Sequence, residues 1–531
     1  MAPPAISVEK LRAAAAAARR TIAPHVERTL WAELGEDRLL LWSTVALWLF
    51  GLIPMAVTHF LPFADLPINT AASSLLWDAA RGHLPTATYY HVNWAPVPYW
   101  TTYLISAFFE RLTNPLFAAK ATTAIIQLLI PLGTMRLLVT FGRSPRLALW
   151  AFLLGYEHNM YAGWHAYLFG IALSLFVIAW TIEAQTLKQA ARIVPFTALI
   201  GLTHAQAVAL LGVIVPVLIL LDRPWRRRLA IHTVALSGCG ITMLPWMLGG
   251  MHGNVGAVTL ASCEWHTPAA KLAQFFAYSL DDLGRPAGER AAAIAFVVLV
   301  VGPLLLGLLP RRAAAGRALH PAVLLAGAGA LYAFLPFAIP GIHWYTYPRY
   351  ASVILLFLLL VPSPRLDGRW VLALLPGVVA IVIFDLAVAR QFAAFEIQAR
   401  PLLEIVEQVK PGGSVLPLVF DDDVPDPEMK LSPYHQMHAY VAAFRKGYEG
   451  YLWNHESVPL LYHQENRKPA PYWDVGAEMA FTMNAYGQHF DYVLVQGFQR
   501  GDPLVALAQG PSPRPRLVVQ AGRWRLYEMM R

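Results

Sequence analysis

The chain has 531 residues, 57% of them hydrophobic and 14% charged, and a formal net charge of +8. A mean hydropathy of +0.46 excludes a water-soluble enzyme, because so few Lys, Arg, Asp and Glu cannot cover a surface of this size. The cations fall in short loops between apolar blocks: Arg143 and Arg146, Lys188 and Arg192, Arg223 with Arg226, Arg227 and Arg228, then Arg311, Arg312 and Arg317, and Arg365 with Arg369. That is the positive-inside pattern, so the basic balance reports orientation in a bilayer and calls for no nucleic-acid partner.

In chain order, residues 1–37 read as a cytoplasmic amphipathic segment in which Lys10, Arg12, Arg19 and Arg20 punctuate an alanine-rich helix suited to an anionic membrane face. The first span is expected from Leu39 to His59, followed by an outer loop over 60–114 that holds a Gly-ended helix, Asn69 to Arg81, and an aromatic helix, Trp94 to Arg111. Leu116–Val139 returns. Leu147–Tyr156 and Tyr167–Ile182 form an out-and-back pair around the polar loop Glu157–His165. The stretch Ile193–Leu221 is too long for one upright span and carries Thr203, His204 and Gln206 at its middle, so it is expected to be two short helices. Leu229–Gly249, Ala291–Leu309, Pro321–Pro340, Ala351–Val361 and Val371–Ala389 complete about eleven crossings.

An odd number of crossings puts the N-terminus in the cytoplasm and the C-terminus outside it, as in a bacterial inner or plasma membrane. Residues 390–531 have a soluble composition. A helix to Lys410, the strands Ser414–Phe420 and Tyr492–Gln496, and a hairpin of Arg516–Gln520 with Trp524–Glu528 joined at Ala521-Gly522 describe a small extracytoplasmic α/β domain. The transmembrane part is then 38–389. Cys239 and Cys263 make no disulfide framework.

Chemistry is concentrated in the outer loops. Asp65, in Pro62-Phe63-Ala64-Asp65-Leu66-Pro67, emerges just beyond the first span, and the run Tyr89-Tyr90-His91-Val92-Asn93-Trp94 follows it. An intramembrane or interfacial carboxylate is a functional candidate by default. Glu157 and His158 are metal-ligand types flanked by aromatics. In His343-Trp344-Tyr345-Thr346-Tyr347-Pro348-Arg349, Arg349 is a cation on the outer side, and its planar fork suits a lipid-linked phosphate. His435, His438, His455 and His463 are spaced too irregularly for a zinc motif and read as surface or acceptor-recognition residues, while Asp421-Asp422-Asp423 reads as a solvated turn.

With its first-loop acid, the surface helices after it and the soluble C-terminal region, the chain resembles the GT-C superfamily of membrane glycosyltransferases, which includes protein O-mannosyltransferases, the aminoarabinose transferases of lipid A and the catalytic subunits of oligosaccharyltransferase. The resemblance implies transfer of a sugar from a polyprenyl-phosphate donor to a glycan, lipid or protein acceptor outside the cytoplasm. Asp65 would be the base, and Arg349, with His343, Tyr347, His204, His91 and Asn93, would bind donor phosphate and substrate. It also implies a place for a divalent metal ion, for which Glu157 and His158 are the candidates. The chain departs from the mannosyltransferase pattern at Leu66, where that pattern has a second acid, and Glu157–Tyr161 holds no Asp-x-Asp. The alternative is a non-catalytic scaffold that transports a lipid or polymer or assists envelope assembly.

Overall fold

The computed structural model describes residues 30–221, 224–249, 259–280, 319–340, 344–361, 366, 371–372, 374–420, 432–453, 458–470, 486–497 and 514–530. The N-terminal amphipathic segment up to residue 29, the expected span Ala291–Leu309, His343, His455 and Asp421–Asp423 lie outside them, as do Arg223, Arg311, Arg312, Arg317, Arg365 and Arg369.

Among the described residues five helices are long and apolar enough to cross a membrane: Arg38–Ala56, Pro115–Thr140, His165–Glu183, Trp225–Leu248 and Leu375–Gln408. Three shorter apolar helices accompany them there, Pro145–Leu154, Ala205–Leu221 and His320–Phe334. With little hydrophobic drive between helices in lipid, close packing depends on small residues. At Gly133 a Cβ would lie 2.8 Å from Leu175 Cβ, so the second and fourth of the expected spans approach backbone to side chain there. The stretch 193–221 is two helices, Val194–Gly201 and Ala205–Leu221, broken at Thr203-His204. Pro145–Leu154 is a 3-10 helix. The last long helix, Leu375–Ala399, runs straight through residue 390, where the composition changes.

Charge divides the helix ends. At one end Arg146 Nε donates to Asp37 Oδ2 at 2.6 Å, Arg143 to the carbonyls of Leu360 and Val361, Arg136 to Glu183, and Arg228 to the carbonyl of Ala184 at 2.7 Å. At the other end His59 Nδ1 meets Glu396 Oε1 at 2.5 Å, and Lys120 Nζ donates to the carbonyl of Thr58.

The chain beyond Ala399 packs on this second end. Strands β2 (Val415–Val419), β4 (Tyr492–Gln496), β5 (Arg514–Ala521) and β6 (Trp524–Met530) form one sheet in the order β2-β4-β6-β5, with β2 and β4 parallel and the rest antiparallel. Gly522, at φ 56°, closes the terminal hairpin. The sheet is tied to the first outer loop. Strand β1 (Tyr90–Val92) pairs antiparallel with β3 (Leu460–Tyr462), and Lys446 Nζ donates to Glu110 Oε1 at 2.7 Å. One apolar cluster joins Ile68, Leu75 and Trp100 of that loop to Leu416, Ala442, Val493 and Tyr527.

Candidate active site

The first-loop helix runs Leu66–Ala80 with Pro67 in its first turn and Asp65 at the cap position. A cap aspartate ordinarily accepts from the backbone N–H groups of the first turn, but the Asp65 side chain makes no such bond. Its carboxylate is turned to other partners. Trp164 Nε1 donates to Oδ2 at 2.9 Å and Gln436 Nε2 donates to Oδ1 at 3.0 Å. Part of the residue reaches solvent, yet the protein packed around the carboxyl dominates its ionisation: desolvation pushes it up to about 6, against the opposing pull of Trp164, Arg349, Gln436 and His435.

The loop 157–165 holds Asp65 in place. Ala64 N–H donates to the carbonyl of Tyr161 at 2.8 Å and Asp65 N–H to that of Ala162 at 3.1 Å. Gly163, at φ +77°, lies so close that a Cβ would stand 2.6 Å from Leu66 N and 2.8 Å from Asp65 N. The next residue, Trp164, has two contacts that matter. Its N–H binds Asp65, and its ring lies under Arg349, whose Cζ is 3.7 Å from the ring centroid.

Arg349 is 5% exposed. Its guanidinium donates to the carbonyls of Tyr345 at 3.3 Å and Trp344 at 3.4 Å, and Nη1 lies 3.4 Å from His204 Nε2. Among the described residues no carboxylate stands within ion-pair distance of it, so a buried cation is held by carbonyls, an imidazole and an aromatic face. Asp65 acts on it electrostatically from beyond that distance, and a cation buried without a direct ion pair is suited to an anion that offsets the cost of burial. His204, brought here by the break between two helices, also packs against Tyr99 and Tyr167 at 5.7 and 5.5 Å. Tyr99 takes a left-handed backbone, φ 72°, where the chain turns into the aromatic helix Trp100–Leu112.

Of the other sequence candidates, Glu157 and His158 border this cluster. Glu157 is buried, and its Oε2 accepts from the backbone and side-chain N–H groups of Asn159 at 3.0 and 2.8 Å; Asn159 in turn donates to the Arg349 carbonyl at 3.2 Å. Glu157 thus braces the turn behind Arg349. His158 packs on Trp164, Tyr278 and Tyr345. Among the described residues no group of three or more His, Cys, Asp and Glu is placed to hold a metal ion. Tyr347 is buried against Lys271, its hydroxyl donating to Gln274 Oε1 at 3.0 Å and meeting His266 Nδ1 at 2.8 Å. His91 and Asn93 sit at the β1–β3 junction: the His91 ring is 4.7 Å from that of His463, and Asn93 N–H donates to the carbonyl of Pro459. His343 lies outside the described residues. The structure thus brings together Asp65, Arg349 and His204, and adds Trp164, Gln436, Tyr99 and Tyr345. Trp164 lies in a polar loop that the sequence marks. Gln436 carries no local signal at all.

No protein-family model and no curated protein matches the sequence. The fold, however, is shared with solved structures of ArnT from Cupriavidus metallidurans, one bound to undecaprenyl phosphate and one in the apo state. The TM-scores are 0.52 and 0.51 at 12% sequence identity, over 93% of this chain and 98% of that one. At this identity the likeness is one of fold, and it extends along nearly the whole chain.

Proposed function

We propose that the protein is a membrane glycosyltransferase that moves a sugar from a polyprenyl-phosphate donor to an acceptor on the extracytoplasmic side, through about eleven spans whose outer ends carry the first loop and the C-terminal α/β domain. The observation that carries this reading is the pair of groups on one indole: a carboxylate of raised basicity at the Trp164 N–H and a buried, anion-seeking guanidinium on the Trp164 face. Asp65 takes the proton of an acceptor hydroxyl. The hydroxyl oxygen bonds to the anomeric carbon as the bond from that carbon to the phosphate oxygen breaks, and the electron pair leaves on the lipid phosphate, which Arg349 and His204 stabilise. Direct displacement of this kind inverts the anomeric centre. No step here is routed through a metal. The undecaprenyl phosphate bound by the structural neighbour supports a polyprenyl phosphate as the lipid. A bacterial inner membrane is the matching location.

The test is transfer by Asp65→Asn in membranes supplied with lipid-linked donor. Loss by roughly a hundred- to ten-thousandfold with donor binding retained is expected of a missing general base. Near wild-type transfer by Asp65→Asn would refute Asp65 as the base, and absence of transfer by the unaltered protein would favour the non-catalytic lipid-binding scaffold.

A further inference from the structure

The C-terminal region also reaches into the site. Gln436 is 2% exposed and comes from the segment between Ser432 and the helix Ala439–Arg445, yet its Nε2 donates to Asp65 Oδ1 across 371 positions of sequence. The segment is fixed on three sides. Tyr434 is buried between Phe395, ring centroids 5.0 Å apart, and the Arg523 guanidinium, 4.6 Å from its centroid. His438 Nδ1 meets Glu449 Oε1 at 3.0 Å with both side chains buried. Tyr440 packs on Phe60, five residues before Asp65, at 4.9 Å. Among the described residues the buried Gln436 Oε1 atom accepts no hydrogen bond. A buried unpaired acceptor is costly, and the bond that the amide makes here is the one from its nitrogen to Asp65.

We propose that Gln436 is a positioning residue for the Asp65 carboxylate, so that the C-terminal domain completes the active site of the membrane domain by holding Oδ1 while Trp164 holds Oδ2. The inference rests on Asp65 being the working carboxylate. A carboxylate has about four acceptor directions, and with one occupied on each oxygen the remaining ones stay open to an acceptor hydroxyl at a fixed orientation. Two titratable groups also act on the carboxyl, Arg349 and His435, which favour its charged form, and Asp65 in turn bears on Tyr99 and Tyr103. None of these is altered by changing Gln436, so a change there isolates one hydrogen bond to the ionised form.

The test reads the acid directly. In the full-length protein in lipid nanodiscs, with carbon-13-labelled aspartate, the infrared carbonyl band that disappears in Asp65→Asn is followed against pH. Its midpoint is expected near 6 in the unaltered protein. Gln436→Met, which keeps length and volume, and Gln436→Ala, which leaves a small gap, should each raise that midpoint by about one pH unit, the equivalent of one hydrogen bond to a charged group. The amide bands of the same spectra report folding, and two variants give independent routes to a folded sample. A midpoint unmoved in either folded variant would overturn the positioning role. Turnover is not read in this experiment, so the two ideas fail separately: an unmoved midpoint leaves Asp65 as base intact, whereas transfer by Asp65→Asn removes the base and leaves the Gln436 bond standing.

Discussion

A carboxyl that burial pushes up to about 6 from 3.8 carries a stability consequence apart from the proposed catalytic one. Because the folded-state value is raised, the favourable contribution of Asp65 is fully present below about 3.8 and is lost as pH rises through about 6, leaving a cost of up to about 3 kcal/mol at neutral pH. Asp65→Asn removes that charge while keeping an oxygen for the Trp164 N–H, at the expense of about 1 kcal/mol for a weakened hydrogen bond. Thermal unfolding at pH 7.5 should therefore show Asp65→Asn as stable as the parent or more so by about 1–2 kcal/mol, and the advantage should disappear at pH 4. Greater stability of the parent at pH 7.5 would mean that the carboxylate is not desolvated. Arg349 behaves differently, because its charge is constant over this range and its plane is stacked on Trp164. Lys keeps the charge but loses the fork and the flat contact. Binding of a polyprenyl phosphate, measured by titration into detergent-solubilised protein, should weaken about tenfold in Arg349→Lys and further in Arg349→Ala. Equal affinities would make Arg349 a purely structural cation.

At the scale of the element, the site depends on the contact between the start of the first-loop helix and the loop 157–165. Gly163 is the contact point, with a positive φ and no room for a methyl group. Gly163→Ala should cost about 2 kcal/mol or more in stability from backbone strain and the clash with Asp65 N. It should also lower transfer well beyond what the stability loss explains, because the displaced residue is the proposed base. A variant with ordinary stability and activity would show that the loop yields easily. Local features of this region were legible in the sequence. The Gly-ended helix is where expected, closed by Gly82 at φ 70°, and three polar residues inside an apolar stretch announced the break that delivers His204. Glu157 and His158 drew notice by residue type, whereas the geometry gives the contact with Asp65 to Trp164, six residues past His158 in the same loop. The 3-10 winding of Pro145–Leu154 and the β1–β3 pairing have no local signature. Strand β1 is three residues long, and its partner is distant in sequence.

For the whole molecule, sidedness can be argued from ion pairs independently of the number of spans. Asp37, just before the first long helix, is bonded to Arg146, and Arg143 and Arg146 donate to carbonyls at Leu360, Val361 and Leu366, so these segments share one end of the bundle. From that end Arg38–Ala56 leads to Thr58 and His59, and Leu375–Ala399 leads to Glu396, which binds both. The first described residues and the terminal sheet therefore lie at opposite ends. Arg143, Arg146, Arg227 and Arg228 gather at the first of these ends, and the positive-inside preference orients it toward the cytoplasm. With that orientation the Asp65 site and the sheet face outward, as the proposed use of a lipid-linked sugar in the outer leaflet requires. Reporters fused at Ala2 and Arg531 should accordingly be active on opposite sides of the membrane, with protease added from outside cutting the C-terminal region and sparing Arg226–Arg228. Two termini on one side would contradict the ion-pair argument, and a cytoplasmic Arg531 would place Asp65 on the face where no outer-leaflet donor can reach it.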